Sequence, residues 1–319
     1  MPPLYDAHLH FQFDALVPHH ATVVADLIRA GVRAVVVNAT NEEEFPVVAA
    51  LCARLSAPSP HPTPGAQLSA LSSQLPGPFT LLPSYGLHPW DCGNRSAGWL
   101  RLLRAALLAD PRAGVGEIGL DRWIIDGVRP DDPRLAGLRV APLAEQAAVF
   151  AAQLDLAAEL NRPASIHATQ AYGAALDVLR AAPRLPACGF LMHGYGGPAE
   201  MIKLFADLGA YFSFNVEWLA PRHAARLENF RAIPADRLLV ETDAPVKAPT
   251  PERNRFPLGE TPDGTIINHP ANLVVAYEAL AELRGVSLNS LATQVAANFR
   301  RLFDPGTALF RPSAFGVKR

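Results

Sequence analysis

Short apolar runs recur along the 319-residue chain at 4–10, 34–40, 80–88, 113–120, 163–168, 188–194, 210–216 and 238–244. They are continuous runs and not alternations, as expected of strands buried on both faces in a parallel sheet covered by helices. Between them lie Ala- and Leu-rich stretches with helical spacing at 22–30, 97–108, 143–160, 171–181, 198–208 and 220–231, and a last helical stretch covers 272–303. Eight strands alternating with helices predict an α/β fold of the (β/α)8 TIM-barrel class. An open doubly wound sheet is the rival. It fits less well, because the first run continues into His8-Leu9-His10 and not into the glycine-rich turn of a dinucleotide site.

The expected organisation is one barrel domain over 1–319. A Ser-, Pro- and Gly-rich insertion at 56–78 offers no periodic apolar positions and reads as a surface excursion. A second irregular stretch follows the fourth strand at 126–142, and the tail at 304–319 carries Pro and Gly.

Composition narrows the class. Half the residues are hydrophobic and 18% are charged, enough for a large core. Lys+Arg of 28 against Asp+Glu of 30 gives a net charge of -2, so any nucleic-acid contact must come from a local basic face. Three cysteines, Cys52, Cys92 and Cys188, with no CxxC spacing, indicate neither a disulfide framework nor a thiolate metal site, and fit a reducing cytoplasm. The opening Met1-Pro2-Pro3 leads into no signal-like apolar segment, and no apolar run approaches the ~20 residues of a membrane span. A soluble, cytoplasmic monomer is expected.

The chemistry lies where the runs end. Residues two apart in a strand point the same way, so His8 and His10 present both imidazoles together. Glu117, His167, His193 and Asp243 close the fourth, fifth, sixth and eighth runs. A lone strand-end histidine is usually a hydrogen-bonded core residue. Six metal-type ligands arriving from five strands at the rim where barrel active sites form are poorly explained by packing. Bound divalent cations would offset the cost of desolvating them.

These residues resemble the TatD family of metal-dependent deoxyribonucleases, within the amidohydrolase-like barrels. The resemblance runs through Asp6-Ala7-His8-Leu9-His10, Gly86-Leu87-His88-Pro89, the stretch from Gly114 to Asp121, and Gln146 with Phe150. It continues through Ser165-Ile166-His167, Met192-His193, Glu241-Thr242-Asp243-Ala244-Pro245, Asn268-His269-Pro270 and the segment from Asn298 to Phe303. It implies that His8, His10 and Asp243 hold one metal, that His167 and His193 hold a second, that Glu117 bridges them, and that His88 faces the substrate.

Two departures stand out: Thr169 occupies the place of the family's usual arginine, and Gly194-Tyr195-Gly196-Gly197 replaces a Cys-Phe-Ser-Gly-like run. Threonine cannot reproduce a bidentate phosphate contact.

The expected cofactors are two divalent ions, Zn²⁺, Mn²⁺ or Mg²⁺, which activate water as the nucleophile. Asp243 would accept its proton, Glu117 would bridge, His88 would position the scissile group, and Asp6 would orient His8. A carboxylated lysine is the alternative bridge in related barrels, but Lys203, Lys247 and Lys318 are the chain's lysines and none ends the fourth run.

The resemblance implies a DNA phosphodiesterase of 3′–5′ exonuclease type, acting on single strands or 3′ ends, with Arg222, Arg226, Arg253 and Arg255 as candidate backbone contacts. The alternative is an amidohydrolase, esterase or lactonase using the same centre on a small ester or amide. A non-catalytic metal scaffold would need a closed shell, against which the glycines beside His193 suggest an open mouth. Trp90, Trp218 and Tyr195 follow predicted strands, where rings can stack on bases or simply pack.

Overall fold

The structure is a computed structural model, described over residues 2–56, 79–129 and 131–304. Eight parallel strands form one sheet in sequential order: β1 Leu4–Leu9, β2 Val32–Asn38, β3 Thr80–Tyr85, β4 Gly114–Asp121, β5 Ala164–Thr169, β6 Phe190–Met192, β7 Ala210–Phe214 and β8 Leu238–Val240. The sheet curls until its ends meet. Asp243 N donates to His8 O at 3.0 Å and His10 N to Ala244 O at 2.8 Å across the seam. Asp6 adds to the closure, its carboxylate accepting from Thr242 N at 3.0 Å and the Thr242 hydroxyl at 2.6 Å. The barrel expected from the apolar runs is the observed one.

Helices α1 His20–Arg29, α2 Glu44–Ser56, α3 Trp99–Ala109, α4 Leu143–Leu160, α5 Tyr172–Ala181 and α6 Ala199–Asp207 connect successive strands. Each turns an apolar face inward, as α1 does with Val23, Val24, Leu27 and Ile28. Between β7 and β8 the predicted helix at 220–231 is broken into short turns, since its inward residues are few and Pro221 restarts it. The helical stretch predicted over 272–303 is two helices, α7 Leu273–Arg284 and α8 Leu288–Phe303. Gly285 ends α7 in the left-handed region at φ 64°, and the Ser287 side chain caps α8 by accepting from Ser290 N. Of the expected insertion and tail, only Ser56 and Asp304 fall within the described residues. Among those residues no helix is long and apolar enough to cross a membrane.

Helix α4 does more than cover the sheet. Gln146 and Gln153 lie two turns apart on its buried face and clasp the backbone ahead of the barrel mouth. Gln153 accepts from Leu87 N at 2.7 Å and donates to Leu87 O at 3.1 Å. Gln146 accepts from Asp121 N at 2.8 Å and donates to Asp121 O at 3.2 Å. Replacing Gln153 with Leu would strand a buried donor and acceptor beside His88. The variant is expected to lose about 2–3 kcal/mol of unfolding free energy in urea titration; an unchanged midpoint would show the clasp to be dispensable.

Candidate metal centre

The mouth is assembled from strand positions less uniform than the sequence suggests. His8 is inside β1 and His10 just beyond it; Glu117 lies midway along β4; His167 is inside β5; His193 follows β6 and Asp243 comes three residues after β8. The pairing register shifts between Asp6 and Leu9 in β1 and between Val115 and Ile118 in β4. Such irregularities re-aim side chains, and they flank His8 and Glu117. Asp243 adopts a left-handed backbone at φ 53°, held by its bond to His8 O.

All seven residues expected from the sequence converge, with the Glu117 carboxylate in the middle. Its Oε2 lies 3.2 Å from both His8 Nε2 and His10 Nε2. Its Oε1 lies 2.7 Å from His193 Nε2, 2.8 Å from His167 Nδ1 and 3.4 Å from His88 Nε2. Asp243 Oδ1 joins the first cluster, 3.9 Å from His8 Nε2 and 3.6 Å from His10 Nε2. Burial alone would raise the Glu117 carboxyl, but the rings of His193, His88 and His8 outweigh it and hold it well below the usual range. Burial, with His193 adding to it, depresses His8 to about 4.

The outer ring nitrogens show what each imidazole offers inward. His10 Nδ1 meets the Asn38 carbonyl at 2.9 Å, so Nδ1 carries the proton and Nε2 presents its lone pair. His167 is turned the other way: Nε2 faces Asp121 Oδ2 at 3.1 Å, leaving Nδ1 for the centre. His193 Nδ1 faces Glu241 Oε1 at 3.8 Å, beyond hydrogen-bond reach, and that carboxylate accepts from Ser213 and from Asn215 Nδ2 at 3.0 Å. His8 Nδ1 meets Ser165 Oγ at 2.8 Å. His88 differs, because its Nδ1 accepts from Trp90 N at 3.2 Å and its inward Nε2 therefore carries hydrogen. It is a donor at the mouth and not a free lone pair.

This donor set fits divalent cations. Metal–nitrogen and metal–oxygen bonds of ~2.0–2.1 Å in a tetrahedron put ligand atoms about 3.3 Å apart, and the first cluster spans 3.2–3.9 Å. Three sets of metal-type residues arise, His8 with His10 and Asp243, His8 with Glu117 and His193, and His88 with Glu117 and His167. The hydrogen on His88 Nε2 weighs against its use as a ligand. Asp121, Ser165 and Glu241 contact or face ligand-type imidazoles and are not among the residues expected at the centre. All three lie within the family-like motifs, and the signal for Asp121 and Glu241 is a carboxylate within four residues of a ligand-type position.

Other expectations change. Tyr195 is fully buried with its hydroxyl donating to Pro198 O at 2.7 Å, and Trp218 is only 6% exposed, so both pack and neither lines the mouth. A Cβ on Gly196 would meet Trp218 Cη2 at 2.5 Å and one on Gly197 the Tyr172 and Tyr195 rings at 2.8 Å, so these two glycines make room for packed rings and not for an open mouth, while Gly194 takes a left-handed φ of 49° beside Glu241. Trp90 stays at the rim, its Nε1 donating to Asp121 Oδ2 at 2.7 Å and its ring stacked on Trp123. Arg255 is engaged by Glu278 on α7, with one guanidinium bond of 2.9 Å.

A rim of this kind, with imidazoles and carboxylates gathered at one end of a parallel barrel, defines the class of metal-dependent hydrolases. The chain belongs to the TatD related DNase family, whose model matches residues 5–304. The metal-dependent hydrolase YcfH of Escherichia coli K12, described as uncharacterized, is 34% identical over 221 residues, 69% of this chain and 72% of that protein. The protein of Pantoea ananatis named 3′-5′ ssDNA/RNA exonuclease TatD is 32% identical over 221 residues, 68% of this chain and 76% of its own length. The crystal structure of the Escherichia coli TatD homologue YjjV superimposes with a TM-score of 0.72 at 25% identity, covering 94% of this chain and 98% of that one.

Burial opposes a charged His193 ring, but Glu117 and then Glu241 outweigh it, raising its pKa well above the usual value. The proton must leave before Nε2 can bind a cation, so affinity should rise with pH. Calorimetric titration of Mn²⁺ at neutral pH in two buffers of different ionisation enthalpy should show proton release. Buffer-independent heats would contradict it.

Proposed function

We propose that this protein is a two-metal phosphodiesterase removing nucleotides from the 3′ end of single-stranded DNA. His8, His10 and Asp243 hold one cation, His167 and His193 the other, and Glu117 is shared. The observation that carries this reading is that the two oxygens of one buried carboxylate face different pairs of imidazoles, Oε2 toward His8 and His10, Oε1 toward His167 and His193. The relative named as a 3′-5′ ssDNA/RNA exonuclease supports the substrate class.

Divalent cations there would supply charge neutralisation at a phosphoryl group and water activation. Imidazole and carboxylate donors without thiolate suit Zn²⁺ or Mn²⁺, with Mg²⁺ a third choice. The chain's own residues do the rest. Burial pushes the Asp243 carboxyl up to about 6, with His193 and His10 opposing, which poises it to take a proton from the attacking water. His88 Nε2–H donates to an oxygen of the scissile group. Asp121 and Ser165 hold His167 and His8 in orientation, and Glu241 faces the His193 ring as a countercharge.

A second reading, hydrolysis of a small ester or amide, draws on Thr169, which removes a bidentate phosphate contact from the mouth. Salt separates the two, since phosphate contacts make activity on a strand fall steeply with ionic strength and a neutral ester has none. Metal-supplemented protein assayed on 3′-labelled single strands, duplex DNA and a panel of esters from 50 to 200 mM salt should favour single strands, with a steep salt slope.

Glu117→Gln keeps the shape but loses the shared charge. It should lower kcat at least about 10³-fold and bring bound metal below the wild-type content by elemental analysis, with its circular dichroism spectrum unchanged. Retention of full activity would defeat the shared-carboxylate reading.

A further inference from the structure

Among the loops after β7 and β8 the structure gathers cations around one carboxylate. Glu217, partly buried, lies 2.8 Å from Lys247 Nζ, 3.0 Å from Arg222 Nη2 and 3.7 Å from His223 Nε2. Arg226 sits over the Trp218 ring in the same loops. Lys247, Arg222 and Arg226 are the cations of this cluster and Glu217 the carboxylate among them, with Asp243 and Glu241 the next acids inward, and the Lys247 and Arg222 side chains remain 42% and 67% exposed. Solvent and ligands can reach them.

The cluster is tied to the metal centre by covalent and hydrogen-bonded links. Lys247 stands four residues after Asp243, a span of at most about 14 Å. Asn268, fully buried, donates from Nδ2 to Thr242 O at 3.0 Å and to Lys247 O at 3.3 Å, while its N–H donates to Pro245 O at 2.8 Å. That staple fixes the Lys247 backbone against the segment carrying Asp243. Glu217 is fixed from the other side, its N–H donating to Asn215 Oδ1 at 3.1 Å while Asn215 Nδ2 donates to Glu241 Oε1 at 3.0 Å. The ammonium lies in the field of Asp243 and Glu241 as well as Glu217.

We propose that Lys247, with Arg222 beside it on Glu217, binds a phosphate of the substrate strand adjacent to the one being cleaved, and so makes the site selective for oligonucleotides. This rests on the phosphodiesterase reading above. It offers a source for the positive charge that Thr169 does not supply, from a different loop and at a neighbouring phosphate. A lysine ammonium suits this task, since a flanking phosphate needs a point charge and not a fixed bidentate geometry.

The test compares a single-stranded thymidine oligonucleotide with bis(p-nitrophenyl) phosphate, which has a scissile phosphate and no neighbour. Metal-loaded wild type, Lys247→Met, Lys247→Arg and a control, Lys203→Met, are assayed on both. Lys203 is an exposed residue paired with Asp207 on α6. Lys247→Met should lower the oligonucleotide-to-small-substrate ratio of kcat/KM by roughly 5- to 20-fold, chiefly through KM, as loss of one phosphate contact predicts. The dependence of log kcat/KM on log salt should flatten by about 0.7, the slope of one single-strand contact. Lys247→Arg should restore most of the ratio, and Lys203→Met should leave it unaltered.

An unchanged ratio in Lys247→Met, or an equal fall on both substrates, would overturn the assignment while leaving the phosphodiesterase reading intact. Hydrolysis of neither substrate by the wild type would overturn that reading, and this one with it.

Discussion

One negative charge, kept where burial disfavours it, organises the mouth of this barrel. The Glu117 oxygens touch five imidazoles, those of His8, His10, His88, His167 and His193, at 2.7–3.4 Å. Ionised and buried, such a carboxylate persists only where positive groups surround it. The rings come from β1, β5 and the ends of β3 and β6, so the strands must close around Glu117 before its charge is met.

Orientation follows from the next layer out. For His10 and His167 a backbone carbonyl and a carboxylate assign the outer nitrogen, and in doing so decide that the inner one gives a lone pair. His10 and His167 reach the centre through different nitrogens because Asn38 O holds one ring and Asp121 the other. His88 is separated from the ligand-type rings by one backbone bond from Trp90. The same residue type thus serves two chemical purposes within a few ångströms.

Much of this was legible in the sequence. Continuous apolar runs indicated a parallel sheet, and the histidines, Glu117 and Asp243 near their ends pointed to a shared rim. Positions within strands were less legible. Glu117 reaches the centre from mid-strand because the β4 register shifts beside it, and register is a property of the neighbouring strand. The glycines around His193 misled for a related reason: Gly196 answers to Trp218, more than twenty positions away, and Gly194 to Glu241 on the far side of β7. Asp121 and Glu241 sat in the recognised motifs, yet their roles depend on distances to His167 and His193 that spacing does not encode. The cations beside Glu217 come from two loops whose meeting the linear order does not announce.

The seam between β1 and the segment after β8 joins positions 6–10 to 242–244 through Asp6, Thr242, His8 and Ala244. Ligand-type residues from the first dozen positions therefore meet Asp243 only after more than two hundred intervening residues have been made and folded. During synthesis His8 and His10 precede both Glu117 and Asp243. The set of ligand-type side chains is therefore complete only in a chain that contains Asp243 and in which β1 has closed onto the segment after β8.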